Sequence, residues 1–542
     1  MFKRIIIPCF FYVFFYILTL NAQEIEHPYG GDLPYGENVD PGALNPYDRL
    51  KPTDVTDHLF AMIYERLVRY DFYENKTYPV LAESWNLSPD NTSITFILRQ
   101  NTQWHDGTPF TSQDVKFTYD FIKSRRRQSV NYYKTKSIDF IKEVKIIDDY
   151  KIQFIFNEPE SEVTPRFDFW IIPKHRFTDD LLNKNDRKGN LSVFPIGTGP
   201  YKFHGQALNK NIRISVNNNY WNKKGHIKRV EMHHIADRTS MINRLINGGI
   251  KLVIETPPKE LTRVENAGDY NTEAYTSFRI HAFAYNNKNE FLKYRKVRQA
   301  MTYATNRIHL LNEWYNGKGE VLFGPVVSAH PYYNDNLAPR PFDINTAKNL
   351  LDQAGFKDSN NDNVRESPDT GKNMEFELIY PSSTVASETE TQSVIESFAN
   401  WMKDIGIIII QKPLIMDKYL DQSFKNQDFD IVWIQWTFDN SYDITSLFHS
   451  NETEPGDDNF INYKNDQVDA LINEYFNSND KELRRACINS IQKILNKDCP
   501  YTFLYNIDNY ASIHYSYQNV RIEPYYFFTF LPEWYIAEEY IW

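Results

Sequence analysis

A histidine beside an aspartate, His105-Asp106, is the first place in this chain where proton transfer could be built. The pair lies in the turn WHDG just ahead of a helix signal, and no G-x-S-x-G nucleophile elbow occurs in the sequence. A turn role is therefore favoured over catalysis, and no enzyme activity is expected. His233 and His234 are neighbours. On a strand, neighbouring side chains point to opposite faces, so these two cannot chelate one ion together. Neither H-E-x-x-H nor a paired C-x-x-C is present, so a transition-metal site lacks local support. Gly197-Thr198-Gly199 supplies two glycines of a dinucleotide fingerprint, with Lys202 where the third would stand, and reads as a tight turn. The run from Asp358 is the one candidate for a hard cation. Asp358, Asn360, Asp362 and Asp369 put oxygen donors at positions 1, 3, 5 and 12 of an EF-hand-like loop, with Asn363 at the turn position. A solvated polar loop is the favoured reading, so no metal is expected, and calcium, which would suit that spacing, is the alternative. No cofactor is expected.

The elements around these residues are legible from local chemistry. Ser88-Pro89-Asp90-Asn91 is a turn cluster, and Ser93 to Arg99 alternates as a strand. Thr111 stands as a helix N-cap with Asp114 in the capping-box place, followed by apolar Val115, Phe117, Tyr119, Phe121 and Ile122. Arg125-Arg126-Arg127 reads as a cationic last turn of that helix. Helices are expected over Asp237 to Asn247, Tyr294 to Asn306, Asn345 to Ala354, Val394 to Ile405 and Lys481 to Asn496, with buried strands at Ile250 to Ile254 and Ile407 to Gln411. Pro28 to Pro46 reads as an extended lead-in segment. Strands and helices alternate irregularly, which predicts α/β lobes with mixed sheets.

Composition narrows the function classes. The chain has 542 residues, 41% hydrophobic and 24% charged, enough for several folded domains. A net charge of −11 without a basic block disfavours nucleic acid and anionic membrane surfaces as partners. Aromatic residues make up 15%, which suits a large cleft lined by rings as well as a tyrosine-rich core. Residues 1–22 read as an export signal: Lys3 and Arg4, then the apolar run Ile5 to Leu20, then Ala22 before a cut. A periplasmic protein is expected, with an uncleaved N-terminal anchor as the alternative. Cys487 and Cys499 lie twelve positions apart on one expected helix, about 18 Å, so no disulfide is expected.

Trp104 to Val115, WHDGTPFTSQDV, resembles the W-x-D-G-x-P-[FL] signature of the family 5 extracellular solute-binding proteins, the peptide-type receptors of bacterial ABC importers. GTGPYKF from 197, the N-x-x-Y-W segment from 217, KYRKVRQAMTYATNR from 293, DINTAKNLLDQAGF from 343 and FDIVWIQWTFDN from 429 resemble further family segments in the same order. The resemblance implies an α/β, two-lobed periplasmic binding protein (type II, cluster C-like) with mixed sheets, a hinge and an extra subdomain. The expected bounds are 23–50, 190–285 and 505–542 for lobe I, 51–189 for the subdomain inserted in it, and 286–504 for lobe II. It implies a ligand site at Trp433, Trp436, Asp439 and Asn440, where Asp439 matches the aspartate that pairs with a peptide's α-ammonium. Many family members also carry a D-x-D-x-D-G loop where this chain has Asp358 to Asn363. Pro381 to Ser393 lacks the arginine some dipeptide binders carry, which favours longer peptides. The implied partners are a peptide and the permease subunits of an importer, with the receptor a monomer. The alternatives are a non-peptide ligand (oligosaccharide, nickel chelate or haem) and a ligand sensor without transport.

Overall fold

The computed structural model describes residues 27–541 except 48–53, 72, 73, 75, 126–137, 139, 161–162, 178–190, 192–193, 383–388, 439–443 and 479. The expected signal, residues 1–22, lies outside the described residues. Among the described residues, no helix is long and apolar enough to cross a membrane.

Two large mixed sheets organise the chain. The first has seven strands, in spatial order Tyr270–Tyr275, Asn509–His514, Leu252–Val253, Asp32–Glu37, Arg229–His234, Ile212–Val216 and Tyr201–Gln206. The second has six, in order Gly319–Val321, Tyr501–Ile507, Arg279–Tyr285, Ile431–Thr437, Glu375–Pro381 and Ile408–Leu414. A four-stranded antiparallel sheet, Ala82–Leu87, Ser93–Leu98, Lys151–Phe156 and Ile141–Asp148, forms the subdomain. Its strands alternate buried and half-exposed positions, as in Ser93–Leu98, where Ile94, Phe96 and Leu98 point inward. Those residues join one continuous core with Leu33 and Tyr35 of the seven-stranded sheet and with Trp534 near the C-terminus. The subdomain and first lobe therefore share their apolar interior.

The six-stranded sheet is covered on both faces. Ile280, Ala282 and Ala284 pack with Val468, Ile472, Ile488 and Leu495 of the helices Asp466–Asn477 and Lys481–Asp498. Phe283 and Tyr285 of the same strand face Val297, Met301, Leu351 and Phe398 of three other helices. This period of two explains the almost unbroken apolar run IHAFAY: both faces are interior. The Arg279–Tyr285 strand, expected within the 190–285 part of lobe I, pairs in the second sheet. The Tyr501–Ile507 strand runs past the expected boundary at 504 in the same sheet.

Several expected helices appear with shifted ends. Lys481–Asp498 continues until Cys499 adopts a left-handed conformation, φ 48°. Cys487 and Cys499 are free and buried. The Tyr294 segment divides: Arg295–Tyr303 ends at Ala304, and Asn306 caps a new helix, Arg307–Tyr315, by accepting from the His309 N–H. The lead-in segment Pro28 to Pro46 holds the Asp32–Glu37 strand. It lies inside the first sheet, parallel to both neighbours.

Candidate functional site

The chain passes between the two sheets at two short crossings. Tyr270–Tyr275 of the first sheet leads through 276–278 into Arg279–Tyr285 of the second, and Tyr501–Ile507 returns through Asp508 into Asn509–His514. Asn506 ties the crossings together, its amide donating to the Ser277 carbonyl at 2.7 Å and the Arg279 carbonyl at 2.8 Å. Such a ribbon is short enough to bend as a hinge and too well bonded to fray.

Beside the crossings, charged groups from both lobes face one another. From lobe I, the Glu37 carboxylate meets His58 Nδ1 at 2.8 Å. Glu255 follows the buried Leu252–Val253 strand and approaches Arg279, the first residue of the lobe II strand, at 3.6 Å. Burial pushes the Glu255 carboxyl up, but Arg279, His58 and Arg238 outweigh it and hold the group below its ordinary range. From lobe II, Glu390 lies in the first turn of the Thr389–Asp404 helix. Burial raises its carboxyl to about 7 even though Arg238 and Lys259 of lobe I act against the shift. The Lys259 ammonium stands 4.2 Å from the Trp314 ring centre, and Asn316 donates to the Pro258 carbonyl at 3.3 Å, so the lobes also touch along this edge. Opposed charges at a junction between lobes can hold a polar ligand strongly, because each pairing gains as solvent leaves.

The four residues implied as ligand contacts are not brought together by what is described. Asp439 and Asn440 lie outside the described residues. Trp433 and Trp436 occupy one strand at odd spacing and project from opposite faces. Trp433 is buried, 5.8 Å from the His281 ring, with its indole N–H enclosed and unpartnered. Trp436 packs on the other face against Phe424 and Phe460. Glu37, His58, Glu255, Arg279 and Glu390 did not stand out in the sequence. The available signal was weak: single charges at the edges of apolar strands, as at Arg279 before IHAFAY.

His105 and Asp106 do not pair with each other. The His105 ring donates from Nε2 to the Gly199 carbonyl at 2.9 Å and accepts at Nδ1 from the Gly197 N–H at 3.2 Å. Asp106 accepts instead from His175 at 2.8 Å and from the Thr108 N–H at 3.1 Å. The two motifs WHDG and GTGP thus form one structural joint. Glycine is required there by close approach: a Cβ on Gly197 would sit 1.7 Å from the Ile63 carbonyl oxygen. Asp114 supplies its half of the capping box, accepting from the Thr111 N–H at 3.0 Å, and also takes the Trp104 indole N–H at 3.3 Å. In the acidic loop, Asp358 and Asp362 group with Glu366. Asp369, expected as the fourth ligand, has its backbone N–H turned to the Ser367 hydroxyl and stands outside that group. Asn360 donates to Asp362 at 3.0 Å. His233 faces Asn211 and Arg244, and no metal group forms around it among the described residues.

Comparison with known proteins agrees with this architecture. The oligopeptide-binding protein AppA of Bacillus subtilis is 26% identical over 517 residues, covering 94% of this chain and 92% of that protein. Its structure in complex with a nonapeptide superposes with a TM-score of 0.78 at 23% identity, over 95% of this chain and 100% of that one. The DppA protein of Helicobacter pylori, bound to the peptide STSA, gives 0.77 at 22% identity over 94% and 99%. NikZ of Campylobacter jejuni, bound to Ni(L-His), gives 0.75 at 24% identity over 93% and 99%. Residues 76–457 match the profile described as bacterial extracellular solute-binding proteins, family 5, middle, and the chain is a two-lobed member of that family.

Proposed function

We propose that this protein is an exported receptor that captures peptides between its lobes and delivers them to an ABC importer. The observation that carries the reading is the pair of crossings at 276–278 and 508, beside which Glu37, Glu255, Arg279 and Glu390 gather from both lobes. A ligand that touches both sides favours the closed form by its differential contacts. Family membership supplies the solute-receptor role, and the peptide complex of AppA supports the ligand class. The ligand's α-ammonium pairs with Asp439, two residues after the Ile431–Thr437 strand, whose last residue pairs with Arg279. The mechanism is capture: the peptide main chain is hydrogen-bonded in extended form, and roomy hydrated pockets take its side chains. The receptor acts as a monomer, without cofactor or bond-breaking chemistry. Its domain limits follow the sheets, with lobe II inserted between residues 279 and 507. Native mass spectrometry of the purified protein tests the ligand class. A co-purifying heterogeneous peptide mass, displaced by added tetrapeptide, is expected. A single non-peptide mass that peptides fail to displace would refute it.

A further inference from the structure

Lobe II carries a second recess, at the end of its sheet remote from the cleft. The crossings join the strands at Arg279 and Ile507, whereas the recess lies beyond Tyr285 and Tyr501 at their other ends. A seven-residue strand separates the two ends by about 20 Å. The recess encloses about 460 Å³, and five of its nine lining residues are cationic: Lys288, Lys293, Arg295, Arg298 and Lys464. One is acidic, Asp498, so the lining carries +5 − 1 = +4 in a chain whose net charge is −11.

Most of that charge is not neutralised internally. Among the described residues, Lys288, Lys293 and Lys464 are exposed and none lies within salt-bridge reach of a carboxylate. Arg295 reaches Asp498 only at 3.6 Å. The Asp498 carboxylate already accepts from the Tyr463 hydroxyl at 2.8 Å and the Asn465 amide at 3.0 Å. Beneath the floor, buried Arg298 spends its donors on main-chain carbonyls of Leu292, Lys293, Asp498 and Cys499. Its guanidinium is fixed but meets no carboxylate at bonding distance. The Arg295–Tyr303 helix also begins here without a side-chain cap, adding the positive end of its dipole. A solvated basic surface would spread its lysines over a convex face. Here they converge on a concavity with a rigid cationic floor, which concentrates the field.

We propose that this recess is an anion site, separate from the cleft, that takes a compact multivalent anion of the phosphate class, free or carried on a lipid headgroup. Four net charges around a small recess exceed what a monocarboxylate would balance. A phosphate group presents oxygens on all sides to lysines arriving from different segments. The inference does not depend on what fills the cleft.

The test uses the intact protein with two probes. Pyrophosphate is titrated calorimetrically, and phosphatidylcholine vesicles with or without phosphatidic acid, whose headgroup is a phosphomonoester, are tested by co-sedimentation. The variant Lys288→Gln/Lys464→Gln alters exposed side chains only. The control Lys348→Gln/Lys403→Gln makes the same charge change on other exposed positions of lobe II. Saturable binding of one probe is expected. It should weaken roughly tenfold in the first variant, change little in the control, and fall with added salt. Pyrophosphate binding identifies a free anion as the source, and sedimentation only with phosphatidic acid vesicles identifies a headgroup. Equal weakening in both variants, or no saturable binding of either probe, would overturn the proposal. Unchanged melting temperatures confirm that the variants fold.

Discussion

Replacing His105 by glutamine separates a structural histidine from a catalytic one through the pH dependence of stability. Burial, with help from Lys202, moves the His105 ring down from 6.5 to about 4. Its proton sits on Nε2 toward Gly199, and a second proton at Nδ1 would confront the Gly197 N–H. The folded protein therefore favours the neutral ring. Since the folded value lies below the unfolded one, this contribution is fully present above pH 6.5 and is lost as pH falls toward 4. The whole difference corresponds to about 3 kcal/mol, and the part lost by pH 5 to about 2 kcal/mol. Glutamine can reproduce a donor and an acceptor in poorer geometry, which costs about 1–2 kcal/mol at neutral pH. It does not titrate. Urea unfolding followed by tryptophan fluorescence at pH 7.5 and pH 5 should show the gap between the two proteins shrinking by about 2 kcal/mol in acid. Other titrating groups shift both proteins alike and cancel. A gap that stays constant, or widens, would refute the assignment of His105 as a neutral pin.

Gly197→Ala forces a Cβ into the Ile63 carbonyl and should destabilise the first lobe by about 3 kcal/mol or more, read as a lower urea midpoint; wild-type stability would show that the joint can relax. Asp439→Asn should weaken a free-amine peptide by about 1.5–3 kcal/mol and leave the N-acetylated peptide unaffected, and equal losses for both would remove Asp439 from the ammonium site. Peptide should reduce the radius of gyration in small-angle scattering and raise the melting temperature with concentration. A raised melting temperature at constant radius would mean a preformed cleft. Asn506→Ala releases the carbonyls of Ser277 and Arg279 and should lower stability by about 1–3 kcal/mol while changing peptide affinity without a ligand contact; unaltered affinity would argue against a role in closure.

What was legible in the sequence was local. The Asp114 half of the capping box formed as its spacing implies, while the Thr111 hydroxyl accepts from the Gln113 N–H, and Asp237 caps Arg238–Ile246 through the Ser240 N–H. Such signals reside in residues three or four apart. The Asp32–Glu37 strand was obscured by Pro34, which reads as a loop residue. Its neighbours make it a central strand, and the Pro34 carbonyl accepts from the Lys251 N–H at 2.7 Å. Arg279–Tyr285 was placed in lobe I by the expected bounds, whereas it belongs to the second sheet, because partner choice is set by segments at 431 and 501. The site suffered most. His105 with Gly199, Glu255 with Arg279, and the cations at 288–298 with Lys464 are all joined by tertiary structure. No spacing rule connects them.

The two crossings also constrain the order in which the molecule can be made. Asn509–His514 stands between Tyr270–Tyr275 and Leu252–Val253, so the first sheet stays unfinished until residue 514 of 542 has emerged. Until then Tyr270–Tyr275 has no partner strand at all. Lobe II, by contrast, is a single stretch whose ends at 279 and 507 are neighbours in one sheet, so it can complete itself first. The later half of the sequence thus becomes the template on which the earlier half closes. A chain halted near residue 508 would hold a complete second sheet and an exposed strand edge in the first.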